Sequence, residues 1–148
     1  MIQSSPKIRV LLVDDDPCQL ELMETAIRGI DKSLIFERTC SGERALELVH
    51  GQHFDCFVSN YVMPRMSGIE LLMKLRAEGY DVPFILFSGL DDEKVVKAAC
   101  QMGVDDFIEK GPSLTVYSVL AKRIVSLVSA KKYIHPIKLN PLDGTISC

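Results

Sequence analysis

No apolar run in the 148 residues approaches the length that spans a bilayer, which argues against a transmembrane helix. Met1 to Lys7 lacks the apolar core of a secretory leader, so the expected location is the cytoplasm. Positive charge is not in surplus either. The formal charge of −3 argues against a general binder of nucleic acid or of anionic membranes. The five cysteines, at 18, 40, 56, 100 and 148, are odd in number, scattered and without CxxC spacing. They read as reduced thiols, three or four of them packing residues, and not as a zinc site or disulfide frame. His50, His53 and His135 have no spacing, with one another or with the cysteines, that suggests a metal. There is no internal repeat, no low-complexity segment and no glycine-rich phosphate loop to support a nucleotide site.

What is present suits one globular domain. Apolar residues make up 47% and charged residues 25%, and a chain of this length buries roughly two-thirds of its unfolded surface. The most informative stretch is FDCFVSNYVMPRMSG, residues 54–68. Cys56-Phe57-Val58 reads as a strand buried on both faces, emerging at Ser59-Asn60. Pro64 and Gly68 break the chain into a loop, and a helical pattern begins at Ile69. In open parallel sheets, ligands sit at the carboxyl ends of strands, which places Asn60 at that rim.

The remaining chain repeats this alternation. Ile8 to Val13 is a strand followed by Asp14-Asp15-Asp16-Pro17, with Asp16 as helix cap and Pro17 at the first helical position. Leu20, Met23, Ile27 and Ile30 recur at helical spacing. Leu34 to Arg38 is the second strand; Ser41 caps a helix bearing Ala45, Leu46, Leu48 and Val49, closed by Gly51. Ile69, Leu72, Met73 and Leu75 mark the third helix, stopped near Gly79. Phe84 to Phe87 is a strand ending at Ser88-Gly89. Asp91-Asp92-Glu93 then open a helix whose apolar face is Val95, Val96, Ala99 and Met102. Phe107-Ile108 is a short strand ending at Glu109-Lys110-Gly111-Pro112. Ser113 caps a last helix with Val116, Val119, Leu120, Ile124, Leu127 and Val128. Five strand-to-helix switches predict five parallel strands with helices on both faces.

The ends of the first, third, fourth and fifth strands carry Asp14 and Asp15, Asn60, Ser88 and Lys110. Two carboxylates about 4 Å apart repel by roughly 4 kcal/mol at an effective dielectric of ~20. A fold tolerates that where a cation sits, and few hard oxygen ligands suit Mg²⁺. A hydroxyl and an ammonium beside the ion would bind phosphate oxygens, so the site is shaped for a phosphoryl group. Taken singly, these residues are ordinary: the acids a solvated turn and cap, Ser88 a strand-end hydroxyl, Lys110 a surface charge. Their combination with Met63-Pro64 and Gly68 carries the argument.

Residues 7 to about 130 resemble the receiver domain of two-component response regulators. The resemblance rests on LLVDDDP, on the DxxxxxxxMPxMxG shape beginning at Asp55, and on the Glu109-Lys110 strand end. It implies a doubly wound α/β fold, flavodoxin-like, with strand order 2-1-3-4-5 and five helices. A receiver domain over residues 1–132 and a tail or linker stub over 133–148 are expected. It implies Mg²⁺ on Asp14, Asp15 and the Val62 backbone carbonyl, with Ser88 and Lys110 holding phosphate oxygens. Ser88 and Phe107 would be the switch residues. The position that accepts phosphate, five residues after Asp55, is Asn60. A neutral amide is a poor nucleophile and forms no acyl phosphate; losing the carboxylate also weakens the metal. The pattern is that of an engineered acceptor knockout, set against a naturally phosphorylation-independent receiver, which would often have lost other site residues too. Gly111, between Lys110 and Pro112, is a second departure and puts a cis peptide at that turn in question.

The resemblance implies a sensor histidine kinase as partner, and a downstream output protein or domain switched through the fourth helix, fifth strand and fifth helix. That face would also admit a second copy, with Lys122, Arg123, Lys131 and Lys132 facing Asp91, Asp92 or Asp105. No direct nucleic-acid or membrane partner is expected, and no enzymatic activity beyond the family's own phosphotransfer and dephosphorylation. Two rivals come from other classes. Asp14-x-Asp16 is similar to the nucleophile motif of haloacid-dehalogenase-like phosphohydrolases, but Cys18 stands where Thr or Val is wanted and Asp105-Asp106 supplies the late acidic pair only loosely. A pure interaction scaffold would bind its partner with or without Mg²⁺.

Overall fold

Six apolar residues out of six hydrogen-bonded positions would make a strand buried on both faces; Ile8–Val13 comes within one of that, broken only by Arg9, and forms β1. The computed structural model describes residues 6–89, 93–133, 138–139 and 146–147. After β1 come α1 (Pro17–Arg28), β2 (Leu34–Thr39), α2 (Gly42–Gly51), β3 (Cys56–Ser59) and α3 (Gly68–Ala77). Then follow β4 (Phe84–Ser88), α4 (Glu93–Gln101), β5 (Asp106–Glu109) and α5 (Thr115–Tyr133). The sheet is parallel throughout, in the order β2-β1-β3-β4-β5. This is the doubly wound fold expected. A separate two-residue antiparallel pair joins β6 (Lys138–Leu139) to β7 (Ile146–Ser147).

The helices start where side chains satisfy free backbone donors. Asp16 accepts from Cys18 N at 3.0 Å with Pro17 at the first position, Ser41 accepts from Arg44 N at 3.1 Å, and Ser67 accepts from Glu70 N at 3.1 Å. Gly79 and Gly103, at φ +91° and +92°, follow α3 and α4 in the left-handed conformation that ends a helix. The described residues contain no cis peptide, including the Gly111-Pro112 turn.

Side chains alternate across the sheet into two cores. Val10, Leu12, Val58, Ile85 and Phe87 pack with α1 and α5 through Leu20, Ile27, Leu120 and Ile124. Leu11, Val13, Phe57, Phe84 and Leu86 pack with α2, α3 and α4 through Ala45, Val49, Leu72, Leu75 and Ala99. Burial of the Cys56 thiol among the first set pushes its pKa up, helped by the charges of Asp105 and Asp55.

Several sequence expectations are corrected here. Ile30 lies beyond α1 and is exposed, as are Met73 on α3, Met102 after α4 and Val119 on α5. Leu71, Tyr117 and Ala121 are buried in their place. Each displaced residue sits at the flank of its helical stripe or past the helix end, where a small rotation exchanges core for solvent. Of the cysteines, only Cys56 is a packing residue among the described ones; Cys18, Cys40 and Cys100 are exposed. Asp91, Asp92, His135 and Cys148 lie outside the described residues.

Candidate functional site at the carboxyl rim

Strand register decides which residues meet. Val13 of β1 pairs with Thr39 of β2 and Ser59 of β3, while Ser59 pairs with Leu86 and Leu86 with Phe107. Residues that follow these strands therefore emerge on one rim. Asn60 N donates to Val13 O at 2.8 Å, pinning Asn60 beside the start of the acidic turn. Lys110 N donates to Ser88 O at 2.8 Å, tying the end of β5 to β4.

Asp14 is 3% exposed, and both of its carboxylate oxygens are engaged. One accepts from Asp16 N at 3.0 Å, and the other from Lys110 Nζ at 2.8 Å. Such a buried charge is tolerated because it is paired and hydrogen-bonded. Lys110 Nζ also reaches Asn60 Oδ1 at 3.4 Å and stands 5.7 Å from the centre of the Phe87 ring, in cation–π range. The Asn60 amide nitrogen turns the other way. It donates to the Val62 carbonyl at 2.9 Å and to Asp15 Oδ1 at 3.3 Å. The network fixes the amide orientation, oxygen toward the ammonium and nitrogen toward the two oxygens.

The loop after β3 is held close by a backbone requirement. A Cβ on Gly68 would fall 2.2 Å from Asn60 O, so only glycine fits while Gly68 N donates to Tyr61 O at 2.8 Å. Arg65 takes φ +68° in this loop, and Met66 packs where a side chain on Gly42 would have been.

The structure thus brings Asp14, Asp15, Asn60, Val62 and Lys110 into one hydrogen-bonded network, with Ser88 buried on the neighbouring strand end. Phe107 is half-buried against the α2–α3–α4 core, level with Leu86. Phe87 was read from sequence only as strand core; its ring beneath Lys110 is set by register. Its face-tilted partner Tyr117, at 6.0 Å, accepts from Gln19 Nε2 at 3.2 Å and so joins α5 to α1. Neither contact has a local sequence signal.

Other candidates fall away from the rim. Asp105 and Asp106 stand at the amino end of β5, where Asp105 accepts from Phe84 N at 2.7 Å and pairs with Arg76 at 3.2 Å. Asp106 pairs with Arg123 at 2.6 Å. They cannot be the late acidic pair of a phosphohydrolase site around Asp14, and Arg123 and Asp105 are each engaged within the chain. His50 and His53 lie 3.0 Å from Glu78 and Asp55. Among the described residues, no group of three or more His, Cys, Asp and Glu is placed to hold a metal. Asp15 Oδ1 and Val62 O both accept from the Asn60 amide and Asp14 Oδ2 from Lys110, so the oxygens a divalent ion would need here already carry hydrogen bonds.

The response regulator receiver domain profile matches residues 10–116. The chain belongs to the response regulator receiver family. This receiver is 30% identical over 103 residues to response regulator MprA of Mycolicibacterium vanbaalenii, covering 70% of this chain and 44% of that protein. It is 28% identical over 105 residues to the probable C4-dicarboxylate response regulator DctR of Halalkalibacterium halodurans, covering 71% and 46%. The chain therefore spans under half the length of these curated relatives. Among solved structures, it is similar to the receiver domain of Francisella response regulator 1452, with TM-score 0.75 and 27% identity over 84% of this chain and 98% of that one. It is also similar to the signal receiver domain of a signal transduction histidine kinase from Syntrophus aciditrophicus, with TM-score 0.73 and 28% identity, covering 88% and 97%. Receiver domains generally bind Mg²⁺ at their acidic site.

Proposed function

We propose that position 60 is the phosphate-accepting position of this receiver, and that the chain as written is locked out of the phosphorylated state. The observation that carries the reading is the Asn60 carboxamide, held between Lys110 Nζ at 3.4 Å and Asp15 Oδ1 at 3.3 Å where the strand ends converge. A carboxylate there would be an in-line nucleophile with an ammonium beside the entering phosphoryl oxygens. A carboxamide offers no such nucleophile. Lys110 and Ser88 would hold the phosphoryl oxygens, and Asp14, Asp15 and the Val62 carbonyl are the family's cation donors. Ser88 and Phe107 would carry the change to a two-state face formed by α4, β5 and α5. The unphosphorylated chain visits its active conformer as a minor population.

In this reading residues 1–132 are the receiver and 133–148 a tail or linker stub. The chain acts in the cytoplasm, and its partners are a sensor histidine kinase and an output protein or domain. Asp14, Asp15, Ser88 and Lys110 all remain in the sequence around a single isosteric change, which supports an acceptor knockout over a receiver that drifted away from phosphorylation. A small acyl-phosphate donor should label Asn60→Asp and leave the Asn60 chain unlabelled; mass spectrometry of the peptide around residue 60 reads the result. Label on Asn60 itself would overturn the proposal.

A further inference from the structure

Asn60 does more at the rim than lack a charge. Its amide nitrogen donates to Val62 O at 2.9 Å and to Asp15 Oδ1 at 3.3 Å, two of the oxygens expected to hold the cation. Its carbonyl oxygen faces Lys110 Nζ at 3.4 Å, and Lys110 in turn holds Asp14 at 2.8 Å. An amide N–H₂ group carries partial positive charge at its hydrogens. A divalent ion ligated by both oxygens would have to share them with those hydrogens and sit against their positive charge.

We infer that the Asn60 carboxamide is a built-in competitor for the divalent cation, opposing Mg²⁺ at the acidic site with the hydrogens it places on Asp15 Oδ1 and Val62 O. This rests on the reading of the site given above and deepens it. Loss of one carboxylate lowers the attraction for a cation; a donor amide among the remaining ligands opposes it separately. The Lys110–Asn60 contact keeps the amide turned the obstructive way, because a flipped carboxamide would set N–H₂ against an ammonium.

The two effects separate in one substitution. Asn60→Ala keeps the net charge of the site and removes the amide. If the amide is the competitor, the alanine variant binds Mg²⁺ roughly tenfold or more tightly than the Asn60 chain. Isothermal titration of the full chain with magnesium chloride measures this, and the amide resonances of Asp15 and Val62 report whether the ion is at this site. Asn60→Ser, also neutral and short, gives a second comparison should the alanine chain fold poorly. Equal or weaker binding by these variants overturns the inference, as does saturable binding by the Asn60 chain as tight as that of Asn60→Asp. Labelling of Asn60→Asp is a separate result. If it is labelled while Asn60→Ala gains no affinity, the functional reading stands and the competitor falls; the reverse pattern removes the functional reading and keeps the competitor.

Discussion

The Lys110 ammonium reaches Asp14, Asn60 and the face of Phe87 at once. Of these, the contact with Asp14 has the greatest energetic weight, because that carboxylate is almost wholly withdrawn from water. Lys110→Ala would leave a buried charge with, among the described residues, only the Asp16 N–H as partner, and should cost about 2–3 kcal/mol. Urea denaturation at neutral pH measures the loss. At this scale the sequence was legible where chemistry is local. Asp16 and Ser41 announced themselves as caps by type and position, and Asp14, Asp15 and Lys110 by standing at strand ends. Phe87 beneath Lys110 and the Cβ-free approach of Gly68 to Asn60 were not legible, since both depend on partners distant in the chain.

Short amphipathic helices constrain their own rotation only loosely. The periodic reading identified every helix, yet it assigned Met73, Met102 and Val119 to the core, where the structure exposes them. Met73 lies on the ten-residue α3, Met102 just past the end of α4 and Val119 on the 19-residue α5, positions that spacing alone cannot sort, and the sheet beneath decides. The difference should appear in stability. Met102→Gln is expected to change the unfolding free energy by less than about 0.5 kcal/mol. Leu72→Ala, removing a fully buried side chain from α3, should cost about 3 kcal/mol. Chemical denaturation of the two variants, compared at constant m-value, checks both.

In the whole molecule, the parallel order and the alternation of strand and helix were readable because each period switch is long enough to be seen, and because strands buried on both faces read as continuous apolar runs. The hydrogen-bond partners of the Asn60 amide were not, since they need the side-chain orientation and not only the residue type. The sheet keeps its two cores apart, with Ile124 on the α1–α5 side and Leu72 on the other. Ile124→Val and Leu72→Ala should therefore add within about 0.5 kcal/mol when combined, whereas a coupling well above that would mean the sheet transmits strain. A partition of this kind has an evolutionary corollary. Substitutions can accumulate and be repaired among the residues above the sheet without renegotiating those below it, so a lineage can refashion one flank for a new associate while the opposite flank goes on folding as before.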